Sequence, residues 1–193
     1  MATPNIDGMR VAFVMANEGV EQVEMTRPWE AVQQAGGRPQ RVAPNSGEVQ
    51  AFNHLDKAQT FPVDWVTSEV EADAFDALVL PGGVANPDQL RMDRPAVELV
   101  RAMFAAGKPA AVICHGPWTL VEGDLVRGRT LTSWPSLQTD IRNAGGTWVD
   151  EEVKVCPSGP NVLVTSRKPD DLPAFCSTFL EVFAETRRRS SVG

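Results

Sequence analysis

A cysteine followed at once by histidine, glycine and proline, Cys114-His115-Gly116-Pro117, closes the apolar run Pro109-Ala110-Ala111-Val112-Ile113. Trp118-Thr119-Leu120-Val121 then resumes at helical spacing. The stretch reads as buried strand, sharp turn and helix. At such a junction the turn residue is lifted out of the sheet, over the first turn of a helix whose unpaired N–H groups carry partial positive charge. A thiol placed there ionises more easily and can attack a carbonyl carbon. Two readings of Cys114 stand at this point: a reactive thiol on a nucleophile elbow, or one more buried small hydrophobe, which is what free cysteines usually are.

Other groups could join it. Glu18, Glu21 and Glu24 follow the first apolar run, and Pro81-Gly82-Gly83 ends another. The N–H groups of Gly83 and His115 can stabilise an oxyanion. A general base is harder to find. A residue directly after the nucleophile usually projects away from it, so His115 needs an orienting carboxylate and a bent geometry. His54 lies in a weakly patterned stretch and reads more readily as an ordinary loop histidine than as a catalytic one. No histidine follows His115, so a cysteine with a distant downstream histidine, the glutaminase order, is excluded. For the glutamates the alternative is a solvated first helical turn, where acids are favoured. Glu24 held near Cys114 would instead be kept protonated by burial and would donate a hydrogen bond to sulfur. Trp118, Trp134 and Trp148 fit a core or rim, and Cys156 and Cys176 sit in apolar-periodic elements as structural residues.

These groups need a frame. Met9 to Ala16 is a continuous apolar run suited to a strand covered on both faces. Val23, Thr26, Trp29, Val32 and Ala35 fall at helical spacing up to Gly36-Gly37, with Pro28 starting a turn or kinking the helix. Pro39 to Ala43 is a second strand. Residues 44–69 alternate weakly, over Glu48 to Asn53 and Thr60 to Val66, and read as an antiparallel excursion. Asp76 to Leu80 is again a buried strand; Asp93 with Pro95 starts a helix through Phe104. After the elbow come a strand over Arg129 to Thr132 and a short helix over Ser136 to Ala144. Late strands follow at Thr147 to Val149, Val153 to Cys156 and Asn161 to Thr165, with Pro157-Ser158-Gly159-Pro160 as a hairpin turn. Asp170-Asp171-Leu172-Pro173 opens a last helix with Phe175, Phe179, Val182 and Phe183 as its apolar stripe. Strands alternating with helices predict an α/β protein, a mostly parallel sheet with helices on both faces. Sites in such sheets lie beyond the carboxyl ends of the strands, so distance along the chain does not separate Glu24, Gly83 and Cys114.

Composition bounds the function. The 193 residues suit a single domain over 1–193. A net charge of −7, with basic residues scattered apart from Arg187-Arg188-Arg189, argues against a nucleic-acid partner. That arginine run reads as complementing the last helix's dipole. No run approaches the roughly 18 apolar residues of a membrane span. Met1 to Asp7 has neither a basic start nor an apolar core, so no secretory signal is expected and the cytoplasm is the expected compartment. Three widely spaced cysteines and two histidines imply neither a disulfide framework nor a metal site, and no cofactor is expected.

The ordered motifs carry more than any one of them. Asn17-Glu18 with Val23-Glu24, Asn53-His54-Leu55-Asp56-Lys57, Ala77 to Gly83, Ala111 to Pro117, Arg127-Gly128-Arg129, Thr132-Ser133-Trp134-Pro135, Asn143-Ala144-Gly145 and Trp148-Val149-Asp150 run across nearly the whole chain. In this the chain resembles the ThiJ/PfpI superfamily, most closely the branch of PfpI-type intracellular proteases and general stress proteins. The resemblance implies a flavodoxin-like three-layer sandwich of the class I glutamine amidotransferase type. It implies Cys114 as nucleophile, Glu24 as the acid bonded to it, and Gly83 and His115 as oxyanion-hole donors. It further implies a homo-oligomer, a dimer or larger, with the site near the interface. There an acid after the Pro-Gly-Gly turn, here Asp88, reaches a neighbouring subunit's elbow histidine. Trp134, Glu18 and His54 are the implied pocket residues. Two departures stand out: Val112 replaces a small residue two before the cysteine, and Trp134 takes the place of a tyrosine in a chain with no tyrosine at all. The expected function is that of a cytoplasmic stress protein with a cysteine-dependent hydrolase site. Its substrates would be peptides, or small molecules and glycated proteins, as in a peptidase or a deglycase or glyoxalase acting on methylglyoxal adducts. The alternative is a non-catalytic redox sensor or chaperone that works through oxidation of Cys114.

Overall fold

Arg10–Val14 forms β1, Glu18–Glu21 β2, Gln22–Gln34 α1 and Arg38–Ala43 β3. Glu48–Asn53 (β4) and Asp56–Pro62 (β5) make a hairpin, followed by Trp65–Val66 (β6) and Ala77–Leu80 (β7). Helices α2 (Ala85–Leu90) and α3 (Arg94–Ala105) lead to β8 (Ala110–Ile113) and α4 (Pro117–Glu122). The remainder is β9 (Thr130–Leu131), α5 (Gln138–Asn143), β10 (Thr147–Trp148), β11 (Val153–Cys156), β12 (Leu163–Ser166) and α6 (Leu172–Ser190). This computed structural model describes residues 4–190; residues 1–3 and 191–193, the ends of the expected 1–193 domain, lie outside the described residues.

The central sheet runs β11-β12-β8-β7-β1-β3-β6, parallel throughout except for β11, which pairs antiparallel with β12. Its middle strands are apolar at every position because both of their faces are covered: β7 (Ala-Leu-Val-Leu) and β8 (Ala-Ala-Val-Ile) are fully buried. Alternation along β1 divides the core in two. Val11 and Phe13 pack with Met25 and Val32 of α1 and with Phe175, Phe179 and Phe183 of α6. Ala12 and Val14 pack on the other face with Val100, Met103 and Phe104 of α3, Leu120 of α4 and Ile141 of α5. The result is the expected three-layer α/β sandwich.

Several boundaries differ from the sequence expectation. The segment read as one alternating run, Thr60 to Val66, is split: β5 ends at Pro62, and β6 joins the main sheet beside β3. The break is set by hydrogen bonds that alternation does not reveal, Val63 N–H to the Gly47 carbonyl and Arg41 N–H to the Asp64 carboxylate. The antiparallel excursion is present as β4 and β5, extended by β2, which runs parallel to β4. Two late strands, β9 and β10, pair with each other in a separate two-stranded piece. Helix α2 has no apolar periodicity of its own and is held by Asn86, described below.

Candidate active site

The carboxyl ends of β1, β7 and β8 meet at one edge of the sheet, and the chain leaves each by a sharp turn. After β8 the turn residue is Cys114, with φ 61°, a left-handed conformation that few non-glycine residues adopt. Its backbone is braced on both sides: its N–H donates to the Ser166 carbonyl at 3.1 Å, and its carbonyl accepts from Trp134 N–H at 2.9 Å. This strained turn is the elbow expected from the sequence.

After β7 comes Pro81-Gly82-Gly83. A side chain on Gly82 would overlap the Glu24 carboxyl and lie 2.5 Å from Cys114 Cβ. Gly83 has φ 84°, and a Cβ there would strike the Gly19 carbonyl and lie 2.7 Å from Glu21 N. Only glycine permits this approach of three backbones. Glu24, in the first turn of α1, is fully buried. Its Oε2 accepts the Gly82 N–H at 2.9 Å, its Oε1 is buried without a hydrogen-bond partner among the described residues, and the carboxyl group interacts with the Cys114 side chain. The N–H groups of Gly83 and His115 converge on that same sulfur.

The electrostatics follow from dryness. Burial pushes the Glu24 carboxyl up to about 8, aided by the charge of Glu21 and opposed by its contacts with Cys114 and Gly82. The acid is therefore protonated at neutral pH. Burial also pushes the Cys114 thiol up, and a charged Glu24 would push it further, while the two N–H groups pull it down. The acidic thiol expected from the elbow alone is thus corrected: the turn supplies donors, but the surrounding apolar packing opposes the thiolate.

His115 departs from expectation in a second way. Its Nδ1 stands 3.2 Å from Cys114 Sγ, although an adjacent residue was expected to project away. The left-handed turn brings the ring back, and aromatic rings rather than a carboxylate hold it there. Trp118 lies at 5.2 Å between centroids and Trp134 stacks at 5.8 Å with 23° between planes. Burial lowers His115 to about 4, so its imidazole is neutral at physiological pH.

Over the sulfur lies a cavity of about 170 Å³ whose lining includes Glu21, Glu24, His54, Gly83, His115 and Trp134. His54, at the tip of the β4–β5 hairpin with φ 59°, sits at its mouth and donates its backbone N–H to Glu21 Oε2 at 3.0 Å. Leu55 and Val84, not among the expected pocket residues, form an apolar rim. Glu18 is not in the cavity: it faces outward and pairs with Lys57 at 3.5 Å, and Glu21 takes the wall position instead. Along β2, Glu18 and Glu21 stand three residues apart, so alternation that sends Glu18 outward turns Glu21 to the opposite, inner face. Asp88 is exposed on α2 beside Arg91 and Met92, outside the cavity of its own chain. Asn86, two residues earlier, is a missed positioning residue. It is buried, its Oδ1 accepts Ala16 N–H at 2.7 Å, and its Nδ2 donates to the carbonyls of Pro81 and Gly82, each at 3.0 Å. It ties the exit of β1 to the glycine turn. Among the described residues no group of three or more His, Cys, Asp or Glu side chains is placed to hold a metal ion.

Comparison with known proteins places this geometry. The chain is 37% identical over 174 residues to Deglycase PfpI of Pyrococcus furiosus, covering 90% of this chain and 99% of that one. It is 38% identical over 168 residues to General stress protein 18 of Bacillus subtilis, covering 87% and 94% respectively. A crystal structure of a two-domain protein from Anabaena variabilis, with DJ-1/ThiJ/PfpI-like and ferritin-like domains, superposes with a TM-score of 0.81 at 33% identity. That match covers 89% of this chain and 47% of the two-domain one. The DJ-1/PfpI family profile matches residues 9–182, and the chain belongs to the DJ-1/PfpI family.

Proposed function

We propose that this protein is a cysteine-dependent hydrolase that removes small dicarbonyl adducts, of the methylglyoxal type, from nitrogen and sulfur groups. The observation that carries the reading is the position of Cys114 Sγ: 3.2 Å from a neutral imidazole, under two backbone donors, and open to a cavity sized for a small carbonyl group. The name of the deglycase relative supports the same activity.

In this reading the Cys114 proton passes to His115 Nδ1 and on to the leaving nitrogen. The new C–S bond forms at the adduct's carbinol carbon as the C–N bond breaks, and the amine departs with that proton. The resulting hemithioacetal isomerises as its carbinol hydrogen leaves as a proton and returns to the neighbouring carbonyl carbon. One carbon is oxidised and the other reduced, with no external oxidant, giving a thioester. Gly83 and His115 N–H groups hold the oxyanion, and protonated Glu24 supplies and recovers a proton. Water then cleaves the C–S bond, releasing the hydroxy acid and the free thiol.

The same reading treats 1–193 as one cytoplasmic domain that works as a homo-oligomer. No helix among the described residues is long and apolar enough to cross a membrane. The rim residues Leu55, Val84 and Trp134 are 91%, 58% and 39% exposed, an apolar border suited to a second copy. Asp88, exposed and outside its own cavity, is available to a neighbour's His115. A redox role for Cys114 is favoured by one feature: two N–H groups bond the sulfur, and with protonated Glu24 beside it they would bond the oxygen of a sulfenic or sulfinic acid.

Cys114→Ser tests the proposal. Release of hydroxy acid from methylglyoxal-treated amino acids is expected to fall at least a hundredfold, and full retention would overturn it. Wild-type protein with no turnover but ready, reversible oxidation of Cys114 by mild peroxide, followed by intact mass, would favour the sensor instead.

A further inference from the structure

We infer that Glu21 is a specificity-determining residue, and that the cavity over Cys114 seats a guanidinium, so that arginine-derived adducts are the preferred substrate class. The inference rests on the adduct-hydrolase reading and adds to it which adducts are favoured.

Neither lysine nor arginine lines the cavity. Glu24 holds its proton at neutral pH and His115 is uncharged. Glu21 remains as the wall's negative charge, and that charge is what reinforces the rise of Glu24. The Glu21 residue is 7% exposed, so its carboxylate is largely screened from water. Its two polar contacts, the His54 N–H at 3.0 Å and the His54 ring Nδ1 at 4.0 Å, both engage Oε2, and Oε1 takes part in neither. The cavity is thus built with an acceptor that a planar donor fork would complete. Trp134 adds an aromatic surface at the rim, stacked on His115 and 39% exposed.

A guanidinium matches both features, since it bonds carboxylates through a fixed fork, stacks on aromatic faces and is weakly hydrated. An arginine–dicarbonyl adduct keeps that core. A cysteine-derived adduct offers neither charge nor fork, and an anionic group would meet Glu21 unfavourably. At about 170 Å³ the space is well below the roughly 300 Å³ and more of drug-sized pockets, so it takes the end of one side chain.

The test uses the full chain and a readout independent of turnover. Protection of Cys114 from iodoacetamide, followed by the mass of the Cys114 peptide, is measured with propylguanidinium and with its neutral isostere propylurea. Each variant is normalised to its own unprotected rate. In wild type, propylguanidinium should protect at a concentration roughly tenfold to a hundredfold lower than propylurea, as expected for one charged bond. In Glu21→Gln, which can still accept the His54 N–H, that preference should fall below about threefold, and Glu21→Asp should recover part of it. Equal protection by both ligands in wild type, or a preference that survives in Glu21→Gln, would overturn the inference. Turnover is assayed in parallel on methylglyoxal adducts of Nα-acetylarginine amide and Nα-acetylcysteine amide. If guanidinium protection holds while neither adduct is turned over, the seat stands and the hydrolase reading falls.

Discussion

Cys114 and Glu24 share a space too dry for two negative charges. A charged Glu24 disfavours ionisation of Cys114, and burial disfavours ionisation of both, while the thiol contact only partly offsets the rise of Glu24. The consequence is visible in reactivity. As pH rises through about 8, ionisation of Glu24 sets a charge beside the sulfur and opposes thiolate formation. Iodoacetamide modification of wild-type Cys114 should therefore rise by clearly less than tenfold per pH unit across that range. Glu24→Gln keeps the shape and removes the charge, so its profile should regain the ordinary tenfold slope below the thiol's own pKa. Identical profiles for the two proteins would mean that the carboxyl and thiol do not communicate. The sequence placed both residues at strand ends, but the sense of the thiol's shift came from burial, which no local motif displays.

At the scale of elements, the site is a junction between the exits of β1, β7 and β8, and α2 is the clamp across it. Asn86 makes three hydrogen bonds from a buried position, linking Ala16 to Pro81 and Gly82. Asn86→Ala would leave the Ala16 N–H and two carbonyls without that partner. The loss is expected to cost about 2–4 kcal/mol of folding stability in urea titration, because unpaired buried polar groups carry a desolvation penalty of about 1–3 kcal/mol each and some will find water. Unlike a core truncation of similar cost, it should also change the alkylation rate of Cys114, since Gly83 N–H is part of the turn that Asn86 fixes. A stability loss with no change in that rate would separate the clamp from the site.

For the whole molecule, the two buried titrating groups shape stability against pH in opposite directions. Glu24 ionises near its ordinary value of 4.5 in the unfolded chain but only near 8 when folded. The folded state therefore binds the extra proton between those values, and stability falls as pH rises across that window, by up to about 1.4 kcal/mol per pH unit. His115 goes from an ordinary 6.5 to about 4 on folding, so its contribution is lost as pH falls from 6.5 toward 4. Together they predict a plateau between about pH 4.5 and 6.5 and a decline from there to pH 8. Urea midpoints for wild type and Glu24→Gln should diverge in favour of the variant as pH rises from 5 to 8. A constant difference would show that Glu24 is not held neutral in the fold.

The continuous apolar runs of β1, β7 and β8 suit strands covered on both faces, and the Cys-His-Gly-Pro break after one of them suits a sharp turn. The parallel sheet, the elbow and the set of Cys114, Glu24 and Gly83 at its edge were accordingly legible in the sequence, as was the family to which they point. What the sequence left open is decided by contacts between distant segments. Glu21 rather than Glu18 lines the cavity because residues 18–21 form a short strand paired with β4, whose alternation turns Glu21 inward, where the sequence reads a solvated first helical turn. His115 reaches its neighbour's sulfur because Cys114 takes a left-handed turn and two tryptophans 16 residues apart flank the imidazole. Periodicity reports which face of its own element a residue occupies. Register, backbone strain and the dryness that sets a proton's position depend on which elements lie opposite, and only the folded chain supplies those.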